Sequence, residues 1–416
     1  MCRLILFTFL SVNCFQFAFC QDKKLLFIGN SYTNYNDLPQ LVYEVANSTG
    51  DGFIVSSSAV NGTNLDFHAL GGTTMDNINS DNWDYVVIQG GAYEVALTGT
   101  HFNNNVAPYA AQITSMIKTN YTCSQPIFYR TWGVKNGDSG ITCTNYPWMC
   151  TYEGMDDALA ANYQVLADAN DGLISPVGVV WRYLRNLHSE IELYDEDETH
   201  PSLAGSYAAA CTFYTIILRK DPTLISYNAG LDPIVANNIR EATKSIVYNQ
   251  LALWKVGEFD PLANFTHVIN SNEVTFTNTS SNAESYAWDF GDSNSSTNEN
   301  PIHTYNTNGS FDVELTVTKC GVSHTYETTI NLNSLDLNGN VFDLLKIYPN
   351  PSRNIIKVEG VSIKSIKLFN ILGKKIQVPI NTTNGIIDIS KLSDGNYFVE
   401  IIANNDSKAI KRIVKM

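Results

Sequence analysis

Two short stretches of this chain hold residues able to do nucleophilic chemistry. Gly29-Asn30-Ser31-Tyr32-Thr33 directly follows the apolar run Leu25-Leu26-Phe27-Ile28. A serine just past the end of a buried strand, with a glycine permitting the turn, stands where a nucleophile is presented at a sheet edge. Far downstream, Asp197-Glu198-Thr199-His200-Pro201 leads into a helical stretch. An Asp three residues before a His can orient the ring through one imidazole nitrogen. The other nitrogen is then free to take a proton from a serine hydroxyl. Singly, a Gly-x-Ser turn is most often a plain loop, and Asp-x-x-His before a helix is most often a cap. Together, in this order on a parallel sheet, they point to Ser31, His200 and Asp197 as a hydrolytic set.

The elements that must position them follow from the apolar pattern. Between residue 22 and about 255, strand-like runs (24–28, 53–57, 85–89, 127–131) alternate with helical stretches (38–46, 106–118, 155–169, 203–218). This alternation predicts a parallel sheet covered on both faces, with ligands at the carboxyl ends of its strands. From 263 to 333 the texture changes to short β-like runs between Asn/Ser/Gly turns, the pattern of a small β-sandwich. Residues 334–340 read as a linker, and a second β-rich module of period-two alternation follows, ending in a basic stretch at 409–416. A length of 416 residues agrees with about three domains.

Composition narrows the function classes. The 26 Lys+Arg against 41 Asp+Glu give a net charge of −15, which disfavours a nucleic-acid partner that needs cationic surface. Residues 1–20 read as a signal peptide: Arg3, a mostly apolar run, and Ala18-Phe19-Cys20 before a cut ahead of Gln21. Ser11, Asn13 and Gln16 interrupt that run, which argues against a membrane anchor, and no later run is apolar enough for stable membrane insertion. Removing the leader leaves Cys123, Cys143, Cys150, Cys211 and Cys320. In an oxidising compartment Cys143 and Cys150 can close a short loop; an odd count leaves a free thiol unless chains are cross-linked, and the spacing fits no zinc pattern.

Over residues 23 to 255 the motifs resemble the SGNH (GDSL-like) esterase and lipase superfamily. The likeness is closest to a bacterial branch with a Gly-Asn-Ser-Tyr/Phe-Thr start, a Trp-Asp-x-Val-Val-x-Gln third strand (Trp83 to Gln89) and a His-Pro-Ser-x-x-Gly-Ser/Thr-Tyr end (His200 to Tyr207). The resemblance implies an α/β fold: a three-layer α/β/α, flavodoxin-like parallel sheet, with Ser31 as nucleophile, His200 as general base and Asp197 as its orienting partner. It also implies an oxyanion hole from the N–H groups of Ser31 and Gly62, the latter in Val60-Asn61-Gly62-Thr63. Where the family usually has Asn, Gln89 stands and carries the same side-chain amide. Asn30 replaces the commoner Asp before the serine. Gly137-Asp138-Ser139 and Gly291-Asp292-Ser293 spell the family's nickname motif, but neither follows the first strand, so both read as turns. No Gly-x-Ser-x-Gly elbow occurs.

Tyr32, Tyr93 and Trp132, with Tyr146 and Trp148 behind them, are candidate substrate-binding residues at the pocket rim. His68 and His101 lack an Asp at a useful spacing, although His68 follows the Gly62 loop and can lie near the pocket. The acidic run Asp195-Glu196-Asp197-Glu198 reads as a solvated loop, not a metal site.

The middle module resembles a PKD-type domain, through Tyr286-Ala287-Trp288-Asp289-Phe290-Gly291-Asp292, Asn300-Pro301-Ile302-His303-Thr304-Tyr305 and Val313-Glu314-Leu315-Thr316-Val317. That resemblance implies a spacer with Trp288 in its core. The last module resembles a type IX secretion sorting domain, through Ile347-Tyr348-Pro349-Asn350-Pro351 and Leu392-Ser393-Asp394-Gly395-Asn396-Tyr397. It implies passage through the periplasm, engagement of the type IX machinery and later removal of the module. The expected organisation is a leader (1–20), a hydrolase domain (21–258), a PKD-type β-sandwich (263–333) and a sorting domain (341–416).

These expectations converge on a secreted serine esterase that needs no metal or organic cofactor. O-deacetylation of a polysaccharide is the first reading and a lipase or short-chain esterase the second. A carbohydrate-binding or adhesin-like protein on an inert scaffold is the rival from another class.

Overall fold

The computed structural model describes residues 22–332, 344–404 and 406–416. The expected leader and the linker at 334–340 lie outside the described residues. The described chain divides into two compact units. One ends at Pro261 and includes Lys319–Val322; the other comprises Leu262–Thr318 and Ser323–Met416.

In the first unit, β1 (Lys23–Gly29) runs into a one-turn helix, α1 (Ser31–Asn34), and then α2 (Leu38–Asn47). β2 (Phe53–Ala59) precedes the short helices α3 (Leu65–Leu70) and α4 (Gly72–Asn79). β3 (Tyr85–Ile88) is followed by α5 (Ala92–Ala96), α6 (Thr100–Asn105) and α7 (Ala107–Asn120). β4 (Gln125–Tyr129) leads through α8 (Ile141–Asn145) to α9 (Tyr152–Ala169). β5 (Leu173–Ser175), α10 (Val177–Leu187), α11 (Leu203–Leu218) and α12 (Pro233–Ile246) complete the unit.

The five strands form a parallel sheet in the order β2-β1-β3-β4-β5. Leu25, Leu26, Phe27 and Ile28 are all fully buried, as a strand covered on both faces requires. The helices fall into two mutually packed groups, α2 with α10–α12 and α3–α5 with α7 and α9. The α11 helix is apolar all round and buried from Ala204 to Ile217, so it is a core element and not a surface one. The strand order reverses between β1 and β3, which makes the carboxyl ends of those two strands the natural ligand crevice.

The expected strands and helices of this unit are all present. The sequence pattern missed β5, α10 and α12, and the short helices α1, α4, α5, α6 and α8. β5 is three residues pressed between Gly172 and Pro176, too short to show a period.

The second unit holds two separate apolar cores. Its first part pairs a three-stranded sheet with a four-stranded one, built from seven strands between Phe265 and Leu332. Trp288 is buried there among Phe265, Phe276 and Phe290, and its Nε1 donates to Asn298 O at 2.8 Å. Gly291 takes φ +75°, and a Cβ there would meet Asp312 O at 2.5 Å. The second part forms two four-stranded sheets between Lys346 and Lys415.

Cys143 pairs with Cys150 as expected, with Cα atoms 4.8 Å apart. Cys123 pairs with Cys320, 197 residues away, a bond no spacing rule announces. Cys211 remains a free thiol buried in α11, and burial pushes it up to about 12. Once the leader is gone, the folded protein should show no thiol reactive toward Ellman's reagent at pH 8. Denaturation without reductant should release one thiol per chain, and more than one would break the pairing described here.

Candidate active site

Ser31 is the first residue of α1, just beyond the carboxyl end of β1. Asn30 caps that turn, its Oδ1 accepting from Tyr32 N at 3.1 Å. Gly29 is obligatory, since a Cβ there would lie 2.5 Å from both Gln89 Oε1 and Thr33 Oγ1.

His200 and Asp197 arrive on a tight loop closed by an isolated bridge between Tyr194 and Pro201. Asp197 Oδ1 accepts the backbone N–H groups of Thr199 and His200, both at 2.9 Å. Its Oδ2 lies 2.5 Å from His200 Nδ1. A carboxylate can only accept here, so Nδ1 carries a proton, and the neutral tautomer this selects leaves Nε2 bare. That bare Nε2 is 2.7 Å from Ser31 Oγ. Burial pushes the Asp197 carboxyl up, but the bonds from the His200 ring and from the two backbone N–H groups outweigh it and hold the group below its ordinary value. The helix-cap alternative fails, because Ser202 caps α11 by accepting from Gly205 N at 3.2 Å.

Gly62 sits on the loop after β2 with φ +74°, a left-handed conformation that favours glycine. Its neighbours are clasped to the serine turn. Asn34 Nδ2 donates to Asn61 Oδ1 at 2.7 Å, and Asn30 Nδ2 donates to Thr63 O at 3.0 Å. Among the described residues the N–H groups of Ser31 and Gly62 have no protein acceptor. Both are backbone donors left unspent, on two loops that the Asn30 and Asn34 side chains tie together.

Gln89 departs from expectation. Its Oε1 accepts Asn30 N–H at 2.8 Å and the Thr33 hydroxyl at 3.0 Å, and its Nε2 donates to Gly90 O at 2.6 Å. The backbone N–H of Asn30 needs an acceptor, so the amide cannot be turned round. The side chain is 1% exposed. It is therefore a clamp on the serine turn and not a donor facing the site.

Trp132 is likewise corrected. It is fully buried, stacked between Tyr32 (5.0 Å) and Trp181 (3.6 Å), and donates Nε1–H to Thr199 O at 3.1 Å. Its work is to hold the loop of His200. Tyr32 is also buried, its ring meeting His200 edge-on, so it backs the site instead of rimming it. Tyr93 keeps an exposed face at 38%. Trp148 anchors its loop by donating to Ala96 O at 3.0 Å, with Tyr146 beside it.

His68 is buried next to the site without joining it. Its ring nitrogens lie 2.9 Å from Gly29 O and 2.9 Å from Thr74 Oγ1. Gly29 O can only accept, so Nε2 carries the proton. Gly137-Asp138-Ser139 is a loop, with Asp138 Oδ2 accepting Cys143 N–H at 2.9 Å. Asp292 pairs with His303 at 2.8 Å inside the sandwich. Neither decoy serine belongs to the site.

Two residues at the site were not singled out from sequence. Glu94 is buried and accepts from Leu65 N at 3.3 Å and from Gly91 N at 3.2 Å, joining the loop after Gly62 to the loop after β3. Tyr35 stacks on the His200 ring.

Comparison with known proteins bears on each part. Residues 260–332 match the family described as the PKD domain. Residues 346–416 match the secretion system C-terminal sorting domain. The comparison with curated proteins found no match. Among solved structures, the chain is similar to a DUF4886 family protein from Bacteroides uniformis (17% identity, TM-score 0.47, covering 56% of this chain and 95% of that one). It is also similar to a protein described as an SGNH hydrolase from Slackia heliotrinireducens (24% identity, TM-score 0.39, covering 47% and 98%). A third likeness is to the PKD1 domain of the Vibrio cholerae metalloprotease PrtV (38% identity, TM-score 0.17, covering 18% and 98%). The sorting module marks the protein for type IX secretion to the cell surface or beyond, and implies engagement of that machinery. Among the described residues no helix is long and apolar enough to cross a membrane.

The clamp role of Gln89 has a measurable signature. Gln89→Ala leaves the buried Asn30 N–H unpaired, a loss of about 1–3 kcal/mol. The melting temperature and kcat should therefore fall together. A loss of roughly 10²-fold in kcat with an unchanged melting temperature would instead restore the oxyanion-donor role.

Glu94 gives a second test. Burial pushes its carboxyl up to about 7, against the Leu65 and Gly91 N–H groups that favour the charged form. An unfolded Glu ionises near about 4.3, so its contribution to stability is full below that pH and is lost as pH rises through the folded value. Glu94→Gln should thus gain in melting temperature relative to wild type between pH 5 and pH 8. A difference independent of pH would refute this.

Proposed function

We propose that residues 21–258 form a serine esterase domain acting on carboxylic esters outside the cell. The observation that carries this reading is the unbroken chain Asp197 Oδ2, His200 Nδ1, His200 Nε2, Ser31 Oγ, at 2.5 and 2.7 Å. In this reading Ser31 Oγ attacks the ester carbonyl while Nε2 takes its proton. The N–H groups of Ser31 and Gly62 hold the tetrahedral oxyanion, and Asp197 stabilises the imidazolium. Nε2 then protonates the leaving alcohol, and water releases the acid from the acyl-enzyme by the reverse sequence. Nucleophile and proton acceptor are both side chains of this protein, so the route calls on neither metal nor organic cofactor.

For the substrate we propose an ester-linked acetyl group on a polysaccharide. An exported chain meets extracellular polymers, and Tyr93, in the short helix after β3, offers a partly exposed ring for a sugar face. A lipase or general short-chain esterase is the alternative, and acyl-chain preference separates the two.

A fluorophosphonate probe should label the full-length protein at Ser31. Ser31→Ala should abolish labelling and lower ester turnover by at least about 10³-fold, with the fold intact. On a chromogenic series the acetate ester should be preferred, and acetate should be released from acetylated polysaccharide. Labelling at Ser139, or turnover undiminished in Ser31→Ala, would remove Ser31 as nucleophile. Preference for long acyl chains would select the lipase reading, and an inert wild type would select the binding-protein one.

A further inference from the structure

Tyr35 lies outside the hydrogen-bonded triad, yet its ring rests flat on the His200 imidazole. The ring centroids are 4.2 Å apart and the planes differ by 10°. The segment that puts it there has an unusual backbone. Asn36 (φ 56°) and Asp37 (φ 48°) are consecutive left-handed residues, a conformation that most side chains avoid and that Asn and Asp tolerate. Asn36 is also tied to the histidine's own segment. Its Nδ2 donates to Pro201 O at 3.1 Å and to Ser206 Oγ at 2.9 Å. The residue after Tyr35 is thus bonded to the residue after His200, and the stacking of the two rings is built in.

We infer that Tyr35 is a positioning residue for the proton acceptor, its ring face holding the imidazole between Asp197 and Ser31 and stabilising the charge that the imidazole acquires. The inference rests on reading Ser31, His200 and Asp197 as a hydrolytic triad. When the Ser31 Oγ–H bond breaks, its proton passes to Nε2. The Oγ electron pair forms the bond to the acyl carbon, and the carbonyl π pair moves to oxygen. The imidazole then carries a full positive charge until Nε2 gives the proton to the leaving alkoxy oxygen. The face of an aromatic ring is the negative part of its quadrupole and attracts a cation within about 6 Å. Tyr32 meets the same imidazole at 72°, edge on, and does not offer its face. Because the charge develops only as the imidazole takes the Ser31 proton, the stabilisation appears in the transition state and belongs in kcat, not KM.

The test uses the full-length protein with an aryl acetate and a fluorophosphonate. Tyr35→Leu should lower kcat, and the rate of probe labelling, by about three- to tenfold with little change in KM. Tyr35→Phe keeps the ring face and should stay within about twofold of wild type. Phenylalanine carrying one, two and three fluorines at this position keeps the shape while draining the ring face, so kcat should fall stepwise along the series. This series also serves if Tyr35→Leu fails to fold. A flat fluorine series, or wild-type kcat in Tyr35→Leu, overturns the inference while leaving the esterase reading in place. A wild type that neither turns over the ester nor takes the probe overturns the esterase reading itself, and the inference with it.

Discussion

One buried oxygen, Oε1 of Gln89, carries the geometry of the serine turn. It accepts from Asn30 and from Thr33, the residues flanking Ser31 and Tyr32, and so joins the end of β3 to the end of β1. The arrangement works only because Gly29 has no Cβ to fill the space that oxygen occupies. It also depends on strand register. Gln89 N donates to Ile28 O at 2.9 Å, and Ile28 pairs with Ile88. A slip of one residue would send the side chain of Gln89 to the opposite face of the sheet. The placement of the serine is therefore a property of the sheet and not of its loop.

The histidine side is held by different forces. Three parallel rings, Tyr32, Trp132 and Trp181, form a buried column behind the site. Trp132 spends its N–H on Thr199 O, while Lys135 N and the Asn136 side chain bond to Glu198. The loop bearing Asp197 and His200 is thus fastened to the chain after β4. Hydrogen bonds alone place Ser31, whereas aromatic packing and hydrogen bonds together place His200.

Much of this was legible in the sequence, in proportion to how local each signal is. Ser31, Asp197 and His200 announce themselves because strand end, residue type and short spacing are all written within a few positions. Gln89 shows how far such a signal reaches. Its place at the end of β3 is evident from sequence, but which end of its amide faces the serine turn is decided by a backbone N–H 59 residues away. Trp132 and Tyr32 show another limit. An aromatic after a strand looks the same whether it rims a pocket or fills a core, and only burial separates the two. Glu94 carries no local signal, since its partners come from two loops. Cys123 and Cys320 pair across 197 residues, a separation at which spacing carries no information. Tyr35 meets His200 through the fold alone.

The bond between Ser31 and His200 spans 169 residues. Nothing shorter brings His200 to Ser31, since the loop of His200 is positioned by the chain after β4 and by the start of the buried α11. A growing or translocating chain therefore carries a serine of ordinary alcohol reactivity. The hydrogen bond to His200 forms only when nearly the whole α/β unit has closed around its sheet.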